Sequence, residues 1–232
     1  MNNSDEEPLG SNDTGQHAAT ILPLDRFNAF SDGVLAIAIT LLVLELKVPS
    51  IDEVADPGAL LEALLRLWPS YAAYLTSFVA ILIMWMNHHG VFRMVRSLNG
   101  PFMVANGFLL LTVTFVPFPT AVLARHVQGP SATVAAAFYC ATYVLVSIGY
   151  NALWSAATRG RLLRPEVSEA HIRKIHRAYR AGFFVYLTAT VLALWNAHVG
   201  LAVSTALWIL WGTLDYSDQE AASAFTATKA GS

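Results

Sequence analysis

The chain has 232 residues, 55% of them apolar and only 13% charged, with a formal net charge of −2. An apolar share this high, with a positive mean hydropathy, excludes an ordinary soluble domain and selects an all-α integral membrane protein. The single cysteine, Cys140, sits in an apolar segment and excludes an intrachain disulfide; it reads as a small, membrane-packed thiol.

The acidic first residues hold neither a basic n-region nor an apolar run, so 1–24 reads as a disordered cytosolic tail and not as a secretory signal. Windows of about 20 residues, the length that crosses a bilayer, then predict six spans. They lie at roughly 27–47, 68–92, 102–123, 131–157, 179–196 and 199–214, within a single membrane domain over 25–214. Chain breakers fall between them: Pro49, the acidic 52–57 stretch, Pro101, Pro130 and Pro165. Pro117 and Pro119 lie inside the third span and predict a kink there. Only 196–199 separates the last two spans, which predicts a tight helical hairpin. Residues 215–232, polar and rich in small side chains, read as a mobile cytosolic tail.

Lysine and arginine set the orientation, because cytoplasmic loops retain positive charge. With the N-terminus inside, eleven of the 14 basic residues fall on the inner side and three, Lys47, Arg66 and Arg125, on the outer. Both termini are therefore expected in the cytoplasm. The basic stretch over 159–180 predicts a juxtamembrane helix, starting near Pro165 and Glu166 and running into the fifth span. It serves as an orientation anchor, with contact to anionic lipid as the other reading. Topology accounts for this charge, so nothing supports a nucleic-acid partner.

The first span opens on polar residues: Arg26, Asn28, Ser31 and Asp32 occupy its first turns. At about 1.5 Å per residue, Ser31 and Asp32 lie roughly two turns above the inner surface. Counting back from Arg93 places His88 and His89 at a similar depth, with Trp85 a turn further in. Counting forward from Pro101 places Asn106 there too. A carboxylate in that layer needs partners, and Arg26, His88 and Asn106 are the expected donors to Asp32, with Ser31 able to bond either way. The layer reads as an interhelical clamp, with a proton relay as the competing reading. On the same helix, at about 100° per residue, Asp32 points roughly 140° away from Ile37. Gly33, Ile37, Thr40, Leu41 and Leu44 share one stripe. That stripe faces lipid, packing, or something outside its own bundle.

The arrangement R-x-x-x-F-S-D at Arg26, Phe30, Ser31 and Asp32 resembles the first-helix signature of the transmembrane protein 175 family of potassium channels. W-x-x-H-x-x-x-F at Trp85, His88 and Phe92, and the pair Asn106 and Pro117 within NGFLLLTVTFVPFPT, resemble the same family. The resemblance implies a homotetramer in which four copies of the first helix line a central potassium-permeable path. It also implies a ring of bulky apolar side chains at Ile37, followed by Thr40, Leu41 and Leu44, in place of a TVGYG selectivity loop, which does not occur in the sequence.

Such a ring would gate by dewetting, Thr40 would offer hydroxyl oxygens to a partly hydrated ion, and preference for potassium over sodium would be modest. Glu45, about 80° from the Ile37 direction, is either an interfacial charge near Lys47 or a cation attractor at the outer mouth. The expected partners are further copies of the chain, membrane lipid and permeant potassium ions, with no cofactor or metal. The competing class is a proton- or cation-coupled transporter built on the Asp, Arg and His layer. An enzyme is not expected: His88 and His89 are adjacent and splay apart, and there is no HExxH or GxSxG.

Overall fold

A computed structural model describes residues 24–50 and 57–212. The expected terminal tails lie outside the described residues, Leu24 apart. The described chain is helical: α1 (Leu24–Leu41), extended by a 3₁₀ turn over Leu42–Glu45, then α2 (Pro57–Arg66) and α3 (Trp68–Met94). After these come α4 (Gly100–Thr114), α5 (Pro117–His126), α6 (Ala132–Arg159), α7 (Glu169–Trp195) and α8 (Ala197–Gly212).

Five of these units are long and apolar enough to cross a bilayer: α1 with its 3₁₀ turn, α3, α4 with α5, α6 and α7. The predicted sixth span corresponds to α8, which has 16 residues and at about 1.5 Å per residue falls short of a full crossing. The expected kink is a break. α4 ends at Thr114 and α5 starts at Pro117, because a proline ring supplies no N–H to the turn before it.

Two elements depart from expectation. α2 is not among the predicted helices; its ten residues are too few for a spanning window, and none is buried. An exposed Glu62–Arg66 pair at 2.6 Å, at the i, i+4 spacing, supports it locally. The basic helix starts at Glu169, later than Pro165 and Glu166, with Ser168 as its N-cap accepting from the His171 N–H at 3.3 Å. The connector before it is already committed elsewhere. Arg164 N–H donates to Met94 O at 2.8 Å and Arg96 N–H to Leu162 O at 2.9 Å, stitching it to the end of α3. Arg161, at φ 54, enters the left-handed region and lets Leu162 N–H reach back to Ala157 O at 2.9 Å, the capping bond that closes α6.

α6 is the centre of the bundle, packed on α4, α5, α7 and α8, while α1 packs on α3 and α4. Small residues allow this closeness, as membrane helices require. A Cβ at Gly149 of α6 would lie 3.1 Å from the Cα of Leu109 on α4. The hairpin between α7 and α8 is tighter than predicted, with Asn196 alone between the helices. Its side-chain oxygen accepts from the N–H groups of His198 and Val199 at 3.0 and 3.2 Å.

A buried hydroxyl cluster ties α3, α5 and α6 together. Ser77 lies 2.7 Å from Thr120 and 3.1 Å from Tyr139, whose hydroxyl accepts from Tyr143 at 2.8 Å. Thr120 bonds back to Val116 O, and the cluster holds no ionisable carboxylate.

Candidate functional site

Three helices meet at the polar layer. Ser31 of α1, His88 of α3 and Asn106 of α4 are all fully buried. Ser31 donates to Phe27 O one turn back at 3.1 Å and accepts from Asn106 Nδ2 at 2.9 Å. Asn106 Oδ1 then faces His88 Nε2 at 2.8 Å.

The bond directions follow from this order. Because Asn106 spends its amide on Ser31, its oxygen accepts, and the proton between it and His88 is assigned to Nε2. His88 Nδ1 is left as a lone pair without a partner. The His88 ring stacks on Phe92 at 4.4 Å, and Phe92 in turn meets Phe27 and Phe102 at 6.1 and 5.4 Å. The Phe of the second motif is therefore the aromatic floor of the layer.

Asp32 belongs to a separate set of bonds. It accepts from Trp85 Nε1 at 3.0 Å and from Asn28 Nδ2 at 3.2 Å. The donors expected for it were Arg26, His88 and Asn106, and this is corrected. Arg26 is exposed and among the described residues forms no ion pair with Asp32, while His88 and Asn106 serve Ser31 instead. The reason is helical: adjacent residues diverge by about 100°, so Ser31 enters the α3–α4 seam while Asp32 turns along α3. Sequence reasoning does not assign Asn28, although its i, i+4 spacing to Asp32 is the signal that would have found it. His89, turned away from His88 onto the Trp85 face of α3, is exposed with its ring 6.0 Å from Trp85.

The stripe on α1 has no cover from the described residues of the chain. Ile37 is 58% exposed, Leu41 41% and Leu44 66%, while Leu35, Ala38 and Leu42 on the other flank are buried. Gly33 and Thr40 are exposed with the stripe. The 3₁₀ turn preserves the line, because residues three apart eclipse at three residues per turn, which sets Leu44 above Leu41. Thr40 donates its hydroxyl proton to Ile37 O at 2.9 Å, leaving the oxygen lone pairs free to accept. Glu45 closes the 3₁₀ turn, half-buried, and among the described residues it forms no ion pair with Lys47.

A helix bound along one flank to its own bundle and bare and apolar along the other, among several helices long and apolar enough to cross a bilayer, defines a multi-pass membrane protein with a helix flank left for lipid or for another chain. A sequence model of the family described as the endosomal/lysosomal potassium channel TMEM175 matches residues 26–117, the interval from the first motif to Pro117. A protein named as a potassium channel in Chamaesiphon minutus is 46% identical over 185 residues, covering 79% of this chain and 91% of that one. Another so named, in Streptomyces collinus, is 42% identical over 189 residues, 81% of this chain and 90% of its own.

A crystal structure described as that of a lysosomal potassium-selective channel TMEM175 homolog from Chamaesiphon minutus matches with a TM-score of 0.73 at 43% identity, covering 81% of this chain and 95% of that one. The protein named as the endosomal/lysosomal proton channel TMEM175 in Bos taurus is 30% identical over 195 residues, and the match spans 40% of its length. The chain belongs to the TMEM175 family, which is a family of ion channels and not of enzymes.

Proposed function

We propose that this chain forms a potassium-permeable cation channel in which four copies of α1 surround a central path. The observation that carries the reading is the exposed stripe of α1, with Ile37 at its middle, set opposite the buried flank of Ser31, Leu35, Ala38 and Leu42. Four Ile37 side chains make a dry constriction that resists a hydrated cation by dewetting. Thr40, a turn outward with its oxygen lone pairs unspent, offers ligands to an ion shedding water. Leu41 and Leu44 continue the narrow wall, and Glu45 draws cations to the outer mouth. Selectivity then comes from dehydration cost and radius, giving a modest preference for potassium over sodium.

The bonds at Ser31 and Asp32 fix the tilt of α1 against α3 and α4, and tilt sets the radius at Ile37. In this reading both termini are cytoplasmic, since the basic residues crowd the end of the bundle where the polar layer lies. A coupled transporter is disfavoured by that same placement, near one end of the helices, because transporter sites sit at the midplane.

Ile37→Asn tests the gate. In vesicles loaded with potassium, the substitution raises potassium efflux well above the unmodified protein, without any counter-transported ion. Unchanged efflux removes Ile37 from the constriction, and saturable flux that requires a second ion restores the transporter.

A further inference from the structure

One face of α7 changes character along its length. Arg173, Arg177 and Arg180 recur at i, i+4 and i+7, and Phe184, Leu187 and Val191 continue the same line toward Trp195, every one of them exposed. The cationic half is poorly compensated. Glu169 lies 3.9 Å from Arg173, and among the described residues Arg177 and Arg180 form no ion pair. Arg180 lies about 22 Å along the helix from Trp195, less than the hydrocarbon thickness of about 30 Å. With Trp195 at one interface, the Arg180 backbone sits below the other, and its guanidinium must reach outward to an anion or to water.

A groove opens beside it. Arg180, Ile148, Asn151, Phe183 and Phe184 wall a cavity of about 240 Å³ between α6 and α7. The Asn151 amide donates to Ser147 O at 2.8 Å and to Tyr179 O at 3.0 Å, so it pins the two helices together behind the groove. The groove therefore has a fixed back wall, a cation at its polar end and apolar walls beyond.

The geometry points to a binding site for an anionic phospholipid, with its phosphate on Arg177 and Arg180 and an acyl chain along Ile148, Phe183 and Phe184. A free anion would use the arginines and leave the apolar groove empty, whereas a zwitterionic lipid would leave the cations without net compensation. Basic pockets between membrane helices select such headgroups. Because α7 packs on α6 and α8, and α1 on α3 and α4, the site is remote from the proposed pore. It stands or falls apart from conduction.

The test uses the full chain reconstituted in vesicles of equal phosphatidylglycerol and phosphatidylcholine, re-extracted in mild detergent, with retained lipid quantified by mass spectrometry. The unmodified protein retains phosphatidylglycerol in excess, and Arg177→Gln with Arg180→Gln lowers the ratio roughly tenfold, at a discount from the usual worth of two membrane-surface cations. Ile148→Trp fills the groove with the charges intact and lowers the ratio as well, while Arg177→Lys with Arg180→Lys keeps most of it. A ratio unchanged in the glutamine variant overturns the site. If that variant does not fold, an unchanged ratio in Ile148→Trp overturns it, as does loss of the bound lipid to millimolar inorganic phosphate, which marks a bare anion site.

Discussion

Asp32 shows how one side chain's partners follow from its angular position. The carboxylate is half-buried between an indole N–H and an amide, and the nearest cation in sequence, Arg26, takes no part. Removing the carboxylate leaves both donors without their acceptor at a half-buried site, so Asp32→Ala is expected to cost about 0.5–1.5 kcal/mol, read as a lower unfolding temperature in detergent. A double-mutant cycle separates the partners. Asp32→Ala with Trp85→Phe should show a coupling of roughly 0.5–1.5 kcal/mol, whereas Asp32→Ala with Arg26→Gln should be additive within about 0.5 kcal/mol. Strong coupling to Arg26 would reinstate the ion pair that the geometry excludes. That Asp32 needed donors was legible in the sequence. Which donors it found was not, because a rotation of one residue exchanges one neighbouring helix for another.

At the scale of elements, the bundle depends on how closely its helices approach. α4 and α6 meet at Gly149, where an added Cβ would press on the backbone and side chain of Leu109 at 3.0–3.2 Å. Gly149→Val therefore forces the two helices apart, with an expected loss of about 1–3 kcal/mol, measured as a lower melting temperature in detergent. An undisturbed melt would show that the seam relaxes without cost.

Apolar windows of spanning length located α1, α3, α6 and α7 because long apolar runs have few other solutions in lipid. It passed over α2, whose ten residues are too short to register in a spanning window. It also placed the start of α7 too early. Proline and glutamate at 165 and 166 look like a helix start, and the pairing of the connector with the end of α3 overrides that local preference.

For the whole molecule, the asymmetry of charge predicts orientation. A cysteine placed at Arg164 should react with an impermeant thiol reagent only from the cytoplasmic face, and one at Arg125 only from the outside; the native Cys140, fully buried, should not react from either. Exchanged sidedness would invert the proposed topology, and reaction of both sites from one side would deny it. Composition, hydropathy and three short motifs were enough by themselves to determine a multi-pass helical channel of the TMEM175 family. Those properties are sums over many residues, or local spacings, and survive without knowledge of neighbours.

Tertiary structure alone decided that Ser31 and Asp32 serve different partners, that the Ile37 flank has no cover from the described residues, and that the basic face of α7 runs into a groove against α6. Each of these depends on the rotation of one helix relative to another. That rotation is set by packing between residues distant in the chain.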